Sequence, residues 1–296
     1  MRTIGVVIPV FNQAIPLLCT LHGFHKQSVN TFKISIVDDG SEEDIKSIVN
    51  LFEDVLDITY TRINKSGRAI ARNVGVEALQ NPSTLIFCDA DRIPARDFIL
   101  EHANAHNMKQ HALVVGDIKE MYVPNLWNNL PTVFHNYLST QRLRRPQYPR
   151  IIYTLFDEEG ESISNIPWLA TFSGNFSIGY DLFKKVGGFD PDFRYWGFEH
   201  FEFGYRAYRQ SVKFLYNRKA VNIHIAHSRQ NNYQNHLKKS HDIFKKKHLS
   251  PEVELLLDFM LGDVSLLDLH NVSIPLHDNV NKFKNVPELF VKITNF

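Results

Sequence analysis

Thr84-Leu-Ile-Phe-Cys88 runs straight into Asp89-Ala-Asp91, so that a short apolar stretch stops on two carboxylates. A run of this length and composition, bounded by polar residues, reads as a buried strand. Working back toward the N-terminus, the same unit recurs. Ser66 to Leu79 reads as a helix and Asp57-Ile-Thr-Tyr-Thr-Arg62 as a strand. Ser41, with Asp44 three residues on, reads as the N-cap of a helix reaching about Phe52. Phe32-Lys-Ile-Ser-Ile-Val37 is a strand that ends in Asp38-Asp39-Gly40-Ser41. Leu17, Leu18, Leu21 and Phe24 lie at helical spacing within about Ile15 to Gln27, and Ile4 to Val10 is the first strand. Strand and helix alternating at this rhythm predict βαβ units, hence an α/β fold with a mostly parallel central sheet flanked by helices. Each strand gives way to a polar cluster at its carboxyl end, where open α/β sheets hold their ligands. Asp and Gly also form turns unaided, but three such turns carrying carboxylates or basic residues point to a site.

Downstream the pattern loosens. Between Pro124 and Ile166 it is broken by Pro124, Pro131, Pro146 and Pro149, and it carries a basic run, Gln141-Arg-Leu-Arg-Arg145, before an acidic Asp157-Glu-Glu159. An irregular insertion this long is read as an acceptor-facing lid, a solvated excursion being the plain alternative. After Pro251, the spacing of Val253, Leu255, Leu256, Phe259 and Leu261 predicts an amphipathic helix that packs on the core, forms a homodimer contact or touches a membrane.

A net charge of +1 gives no case for nucleic acid as the main partner. Cys19 and Cys88 both sit in apolar runs and read as buried thiols in a reducing compartment. The apolar start, Met1 to Val10, is too short to span a bilayer and is interrupted by Asn12 and Gln13, which also spoils it as a signal peptide. The expected location is the cytoplasm, with peripheral attachment to the inner face of the membrane left open.

Two carboxylates two residues apart just past a strand can bind a divalent cation, and a hard ion such as Mg2+ or Mn2+ suits both those oxygens and a diphosphate. Around Asp89-Ala-Asp91 stand Pro9-Val-Phe-Asn12, Val37-Asp-Asp-Gly-Ser41 and Asn64-Lys-Ser-Gly-Arg68-Ala-Ile-Ala-Arg-Asn73, each after its own strand. In this order they resemble the family 2 glycosyltransferases, whose Rossmann-like nucleotide-binding fold is called GT-A. The resemblance covers about the first 230 residues. Further on, Phe189-Asp-Pro-Asp-Phe-Arg-Tyr-Trp196-Gly-Phe-Glu199-His-Phe-Glu202 is similar to the Trp-Gly-x-Glu-Asp motif of galactosyl- and N-acetylgalactosaminyl-transferases, including the bacterial chondroitin polymerase type, with His200 standing where that motif has Asp.

The resemblance implies a GT-A domain over residues 1–230, with a nucleotide-binding half to about 120 and an acceptor half beyond it, and a helical C-terminal extension over 231–296. It implies that Pro9 and Asn12 shape the pocket near base and ribose, that Asp39 accepts a hydrogen bond from uracil, and that Arg68 lies against the nucleotide. Asp89 would make a ribose or water-mediated contact, and Asp91 would bind the metal directly with His227, His224 being the alternative. Gly174 and Asn175, in Thr171-Phe-Ser-Gly174-Asn175-Phe-Ser177, would touch the donor sugar, and Trp196 completes the donor-binding set. Glu199 or His200 would deprotonate the acceptor hydroxyl in an inverting reaction; a retaining enzyme would need no base there.

The expected activity is therefore metal-dependent transfer of a hexose or N-acetylhexosamine from a UDP-sugar to an acceptor hydroxyl on a glycan, lipid-linked oligosaccharide, peptide or small molecule, as in polysaccharide biosynthesis. A non-catalytic nucleotide-sugar-binding protein of the same fold is the first alternative. A nucleotidyltransferase fits less well, because the first turn, Pro9-Val-Phe-Asn-Gln13, holds no glycine. A dinucleotide oxidoreductase is disfavoured for want of a Gly-x-Gly-x-x-Gly after the first strand.

Overall fold

Strand β1 (Ile4–Val10) is buried along its whole length, as an unbroken apolar run in a central parallel strand must be. The structure, a computed structural model, describes residues 3–109, 111–138, 143–227, 232–276 and 286–292. On one side β1 pairs in parallel with β2 (Phe32–Asp38), which in turn pairs with β3 (Ile58–Arg62); on the other it pairs with β4 (Thr84–Phe87). The crossovers are α1 (Ala14–His25), α2 (Ile45–Asn50) and α3 (Arg68–Glu77). Val10 sits beside Asp38, and Asp38 beside Arg62. The carboxyl ends are thus level, and their polar clusters collect along one edge. The N-cap of α2 is Asp44, which accepts from the Ser47 N–H at 3.1 Å, and not Ser41. Ser41 joins two loops instead: its N–H reaches Asp38 Oδ1 at 2.8 Å, and its hydroxyl accepts from the Asn12 N–H at 2.9 Å.

The second half begins with β5 (Arg92–Pro94), α4 (Phe98–Met108) and the long β6 (Ala112–Tyr122). After α5 (Leu130–Leu138) and α6 (Gln147–Ile152) come β7 (Phe176–Gly179), α7 (Tyr180–Val186), α8 (Glu199–Arg209) and β8 (Lys213–Ala226). The eight strands lie in the order β3-β2-β1-β4-β7-β6-β8-β5. Most neighbours are parallel, but β7 runs antiparallel between β4 and β6, and β5 antiparallel to β8. This is the expected α/β fold, its sheet partly reversed in the half the sequence made least regular.

The 124–166 stretch carries helices, and its second part is core. Ile151, Ile152, Tyr153, Leu155 and Ile166 are buried. Tyr153 stacks on Tyr216 with ring centroids 4.1 Å apart and donates its hydroxyl to the Gly116 carbonyl at 2.8 Å. Arg145, from the basic run, reaches the buried Asp117 at 2.9 Å, while Gln141 and Arg142 lie outside the described residues. The helix expected after Pro251 is split at Leu255 into α10 (Pro251–Glu254) and α11 (Leu256–Leu261). Their Val253, Leu256 and Phe259 join Phe244 of α9 (Tyr233–Lys247) and Leu266 and Leu269 of α12 (Leu266–Val272) in the same apolar cluster as Trp168 and Phe176. Cys19 and Cys88 are buried and free. Among the described residues no helix is long and apolar enough to cross a membrane.

Candidate active site

The loop after β2 is organised by Asp39, which is almost fully buried. Its carboxylate accepts from the Ser66 N–H at 2.6 Å and the Gly67 N–H at 3.0 Å, and pairs with Lys65 Nζ at 2.9 Å. Gly67, at φ +100, caps α3, and a Cβ there would come within 3.2 Å of Arg194 backbone. Asn12, at φ +50, accepts from the Glu42 N–H at 2.7 Å. Pro9 lies inside β1, level with Val37. Asp39 and Asn12 therefore shape the loops that frame the edge, whatever else they contact.

Helix α3 carries the residue that the sequence did not single out. Arg72 is buried on the inner face of the helix, between Ala69 and Val76. Its Nη2 donates to Asp89 Oδ1 at 2.8 Å and its Nη1 to Glu199 Oε1 at 3.0 Å. One guanidinium thus joins the end of β4 to the start of α8, using the fork geometry that lysine lacks. Burial alone would lower the Arg72 pKa, but the charges of Asp89 and Glu199 outweigh it and hold it raised. A cation three residues after Ala69 and four before Val76, on the apolar face of a helix, was the signal available in the sequence.

Glu199 is delivered by a strained turn. Gly197 has φ +97, and Phe198, fully buried, has φ +67. The left-handed region is costly for a bulky side chain and persists only where packing enforces it. Burial by itself would raise the Glu199 pKa, but the charges of His200, Arg72 and Arg68 overcome it and hold the carboxyl well below the usual range. Its Oε2 is buried without a hydrogen-bond partner. His200 Nδ1 lies 3.5 Å from Glu199 Oε1.

Asp91, two residues beyond Asp89, meets different company. Its Oδ2 lies 3.2 Å from His227 Nε2, 3.7 Å from His224 Nε2 and 3.1 Å from Gln13 Nε2. The three potential ligand atoms of Asp91, His224 and His227 fall within 4.8 Å of one another. Asp91 Oδ1 is buried and has no hydrogen-bond partner, with Arg92 Nε 3.7 Å away, so a lone pair is left that a metal ion could use. Burial pushes the Asp91 pKa up, but the hydrogen bond from His227 and the charges of His224 and Arg92 push it well below the carboxylate range. One carboxylate and two imidazoles fit Mn2+ better than Mg2+, which favours all-oxygen ligands. Three residues apart on a regular strand the two histidines would face opposite ways. Because β8 ends at Ala226, His227 is free to turn back to the same carboxylate.

Of the other expected residues, Gly174 abuts the site, since a Cβ there would lie 2.7 Å from Asp89 Oδ2. Asn175 does not reach it. Its amide donates to the Asp117 and Ala220 carbonyls, and its oxygen faces His102 Nε2 at 3.1 Å, so a residue expected at the donor sugar ties strands together inside the sheet. Arg68 is exposed at the first turn of α3, and Trp196 is half-exposed, edge-on to Tyr233.

The profile described as Glycosyl transferase family 2 matches residues 5–163, more than half of the chain. The chain belongs to glycosyltransferase family 2. Membership of this family stands against the nucleotidyltransferase and oxidoreductase readings. A second profile, the N-terminal domain of galactosyltransferase, matches residues 162–230, which contain the Trp196–Glu199 turn. Validoxylamine A glucosyltransferase of Streptomyces hygroscopicus subsp. jinggangensis (strain 5008) is 28% identical over 270 residues, covering 85% of this chain and 62% of that protein. Chondroitin synthase of Escherichia coli is 26% identical over 226 residues, covering 71% of this chain and 33% of that one. This family 2 chain therefore spans about six-tenths of the length of the first relative and a third of the second. Among solved structures, S. aureus TarS 1-349 superposes with a TM-score of 0.61 at 15% identity, over 83% of this chain and 65% of that one. GalNAc-T7, solved with UDP, GalNAc and Mn2+, gives 0.62 at 18%, over 96% of this chain and 53% of that one. Both likenesses establish the GT-A fold.

Proposed function

We propose that this glycosyltransferase binds a UDP-sugar along the level strand ends and transfers its hexose or N-acetylhexosamine to an acceptor hydroxyl with inversion. The observation that carries the reading is one cluster: Asp89, Arg72 and Glu199 in a hydrogen-bonded row, with Asp91, two residues along the chain from Asp89, gathered with His224 and His227. TarS has been solved with UDP and with UDP-GlcNAc, and GalNAc-T7 with UDP and Mn2+, which supports a UDP-sugar donor here. Residues 1–230 would carry the reaction and 231–296 would brace it. Asp91, His224 and His227 would hold a divalent cation. Such an ion, when bound, offsets the negative charge that a departing diphosphate accumulates.

The chain's own residues divide the remaining work. Glu199, locked to Arg72 and held strongly ionised, is a weak proton acceptor. We assign the base role to the neutral form of His200, whose Nδ1 lies 3.5 Å from Glu199 Oε1, where the carboxylate favours a proton on that nitrogen and leaves Nε2 to act. The acceptor hydroxyl gives its proton to His200 Nε2 as its oxygen bonds the anomeric carbon, and the bond from that carbon to the diphosphate breaks, releasing UDP. Calorimetric titration with UDP, GDP and dTDP, with and without Mn2+, is the test of the donor class. UDP should bind tightly only with Mn2+, and on a panel of UDP-hexoses His200→Ala should lower kcat by about 10²–10⁴-fold, the range of a lost general base. No nucleotide binding under any condition would remove the reading; full activity in His200→Ala would remove the base assignment alone.

A further inference from the structure

His224 has two nitrogens, and only Nε2 faces Asp91. Its Nδ1 lies 3.1 Å from Glu120 Oε1. The contact is set by the sheet: Glu120 of β6 and His224 of β8 are register partners, so their side chains rise on one face as a cross-strand pair. Glu120 is itself fixed from the other side. Arg144 donates through Nε to Glu120 Oε2 at 2.8 Å, and the two backbones exchange hydrogen bonds at 2.8 and 3.1 Å. The two partners use different oxygens of the one carboxylate.

A neutral imidazole carries a single N–H, and the group bonded to one nitrogen decides which nitrogen keeps it. A carboxylate at Nδ1 keeps the proton there, fixes the ring's rotation and makes Nε2 the stronger electron donor. We propose that Glu120 is a positioning residue for the cation site, acting through His224 and tying that site, by Arg144, to the insertion between β6 and β7. The proposal rests on the reading of Asp91, His224 and His227 as cation ligands. Residues that orient a ligating histidine in this way are worth about 10–100-fold in metal affinity.

The experiment is a Mn2+ titration of the full chain, followed by electron paramagnetic resonance in the presence of UDP, with no turnover involved. Glu120→Ala should weaken Mn2+ binding by about 10–100-fold. Glu120→Gln, whose amide oxygen still accepts from Nδ1, should weaken it less. In a His224→Ala background, Glu120→Ala should add no further loss, which a merely structural defect would not reproduce. Arg144→Ala should weaken binding less than Glu120→Ala. Circular dichroism verifies folding, and if Glu120→Ala does not fold, Glu120→Gln takes its place in the cycle. Affinity within twofold of the parent protein in Glu120→Ala, an equal loss in both backgrounds, or an equal loss in Arg144→Ala would overturn the proposal while leaving the cation site standing. A parent protein that binds no Mn2+, with Asp91→Ala indistinguishable from it, would instead overturn the cation site and the proposal together.

Discussion

Asp89 and Asp91 leave the same strand end two residues apart, yet one is hydrogen-bonded to a buried arginine and the other is gathered with two histidines. Asp89 is bonded to Arg72, whose charge is permanent and whose second arm is bound to Glu199. That row has its cation built in, one guanidinium shared by two carboxylates. Asp91 faces two imidazoles, which can offer lone pairs to a cation, and its Oδ1 is buried without a hydrogen-bond partner, 3.7 Å from Arg92 Nε. Alternation along a strand would put residues two apart on the same side, but β4 ends at Phe87 and the turn beyond it sends the two carboxylates into different environments. Those environments, more than the Asp-x-Asp spacing, distinguish a braced carboxylate from one open to a cation.

Removing the arginine should break the first environment and give the largest effect. Arg72→Met leaves Glu199 buried and charged with no partner but His200, and stranding a buried charge costs about 3–5 kcal/mol. Denaturant unfolding should show that loss, and adding Glu199→Gln should restore part of it by removing the stranded charge. Arg72→Lys should not rescue the fork, because an ammonium cannot reach both carboxylates in the same geometry. A cost below about 1 kcal/mol for Arg72→Met, the range of exposed pairs, would mean that the row is not a buried unit.

Substituting each aspartate in turn sharpens the contrast. Asp91→Ala should weaken Mn2+ binding more than about 100-fold, a loss of roughly 2.7 kcal/mol, whereas Asp89→Ala should weaken it by less than tenfold. Equal losses would erase the division between the two carboxylates and make them joint ligands.

How far this division could be read in advance differs between the two environments. The parallel half was legible because β1 and β4 are apolar runs and β2 and β3 are short stretches rich in β-branched and aromatic residues, each with a polar stop, and both Asp89 and Asp91 fall at one of them. His227 could be placed with Asp91 by resemblance. The link from Arg72 to Glu199 joins residues 127 positions apart, and no local periodicity reports such a contact. Asn175 was misleading for a related reason: a glycine and an amide beside a strand look alike whether they face a ligand or the sheet, and Asn175 faces His102 and two carbonyls. The reversed strand β7 has only four residues, too few for direction to be inferred. The helix after Pro251 kept its apolar face but not its continuity, because Leu255 ends one turn and starts the next.

His102 isolates what burial does to an imidazole that has no carboxylate beside it, and so provides the smallest but cleanest effect. It lies behind the sheet, fully buried, between Ser177 and Asn175 at 2.8 and 3.1 Å. Burial lowers its pKa from 6.5 to about 3, the hydrogen bond to Asn175 opposing the shift and His106 adding to it. Below pH 6.5 the unfolded chain therefore takes a proton that the folded protein refuses, and stability falls as pH drops toward about 3. Between pH 7.5 and 5 this one group should cost about 2 kcal/mol. His102→Gln should be less stable at neutral pH but lose about 2 kcal/mol less than the parent protein over that interval, since an amide has nothing to titrate. Parallel stability curves for the two proteins would show that His102 takes its proton as readily folded as unfolded. Burial alone would then not keep an imidazole neutral in this sheet, and the neutral state required of His224 would have to come from its place beside the cation.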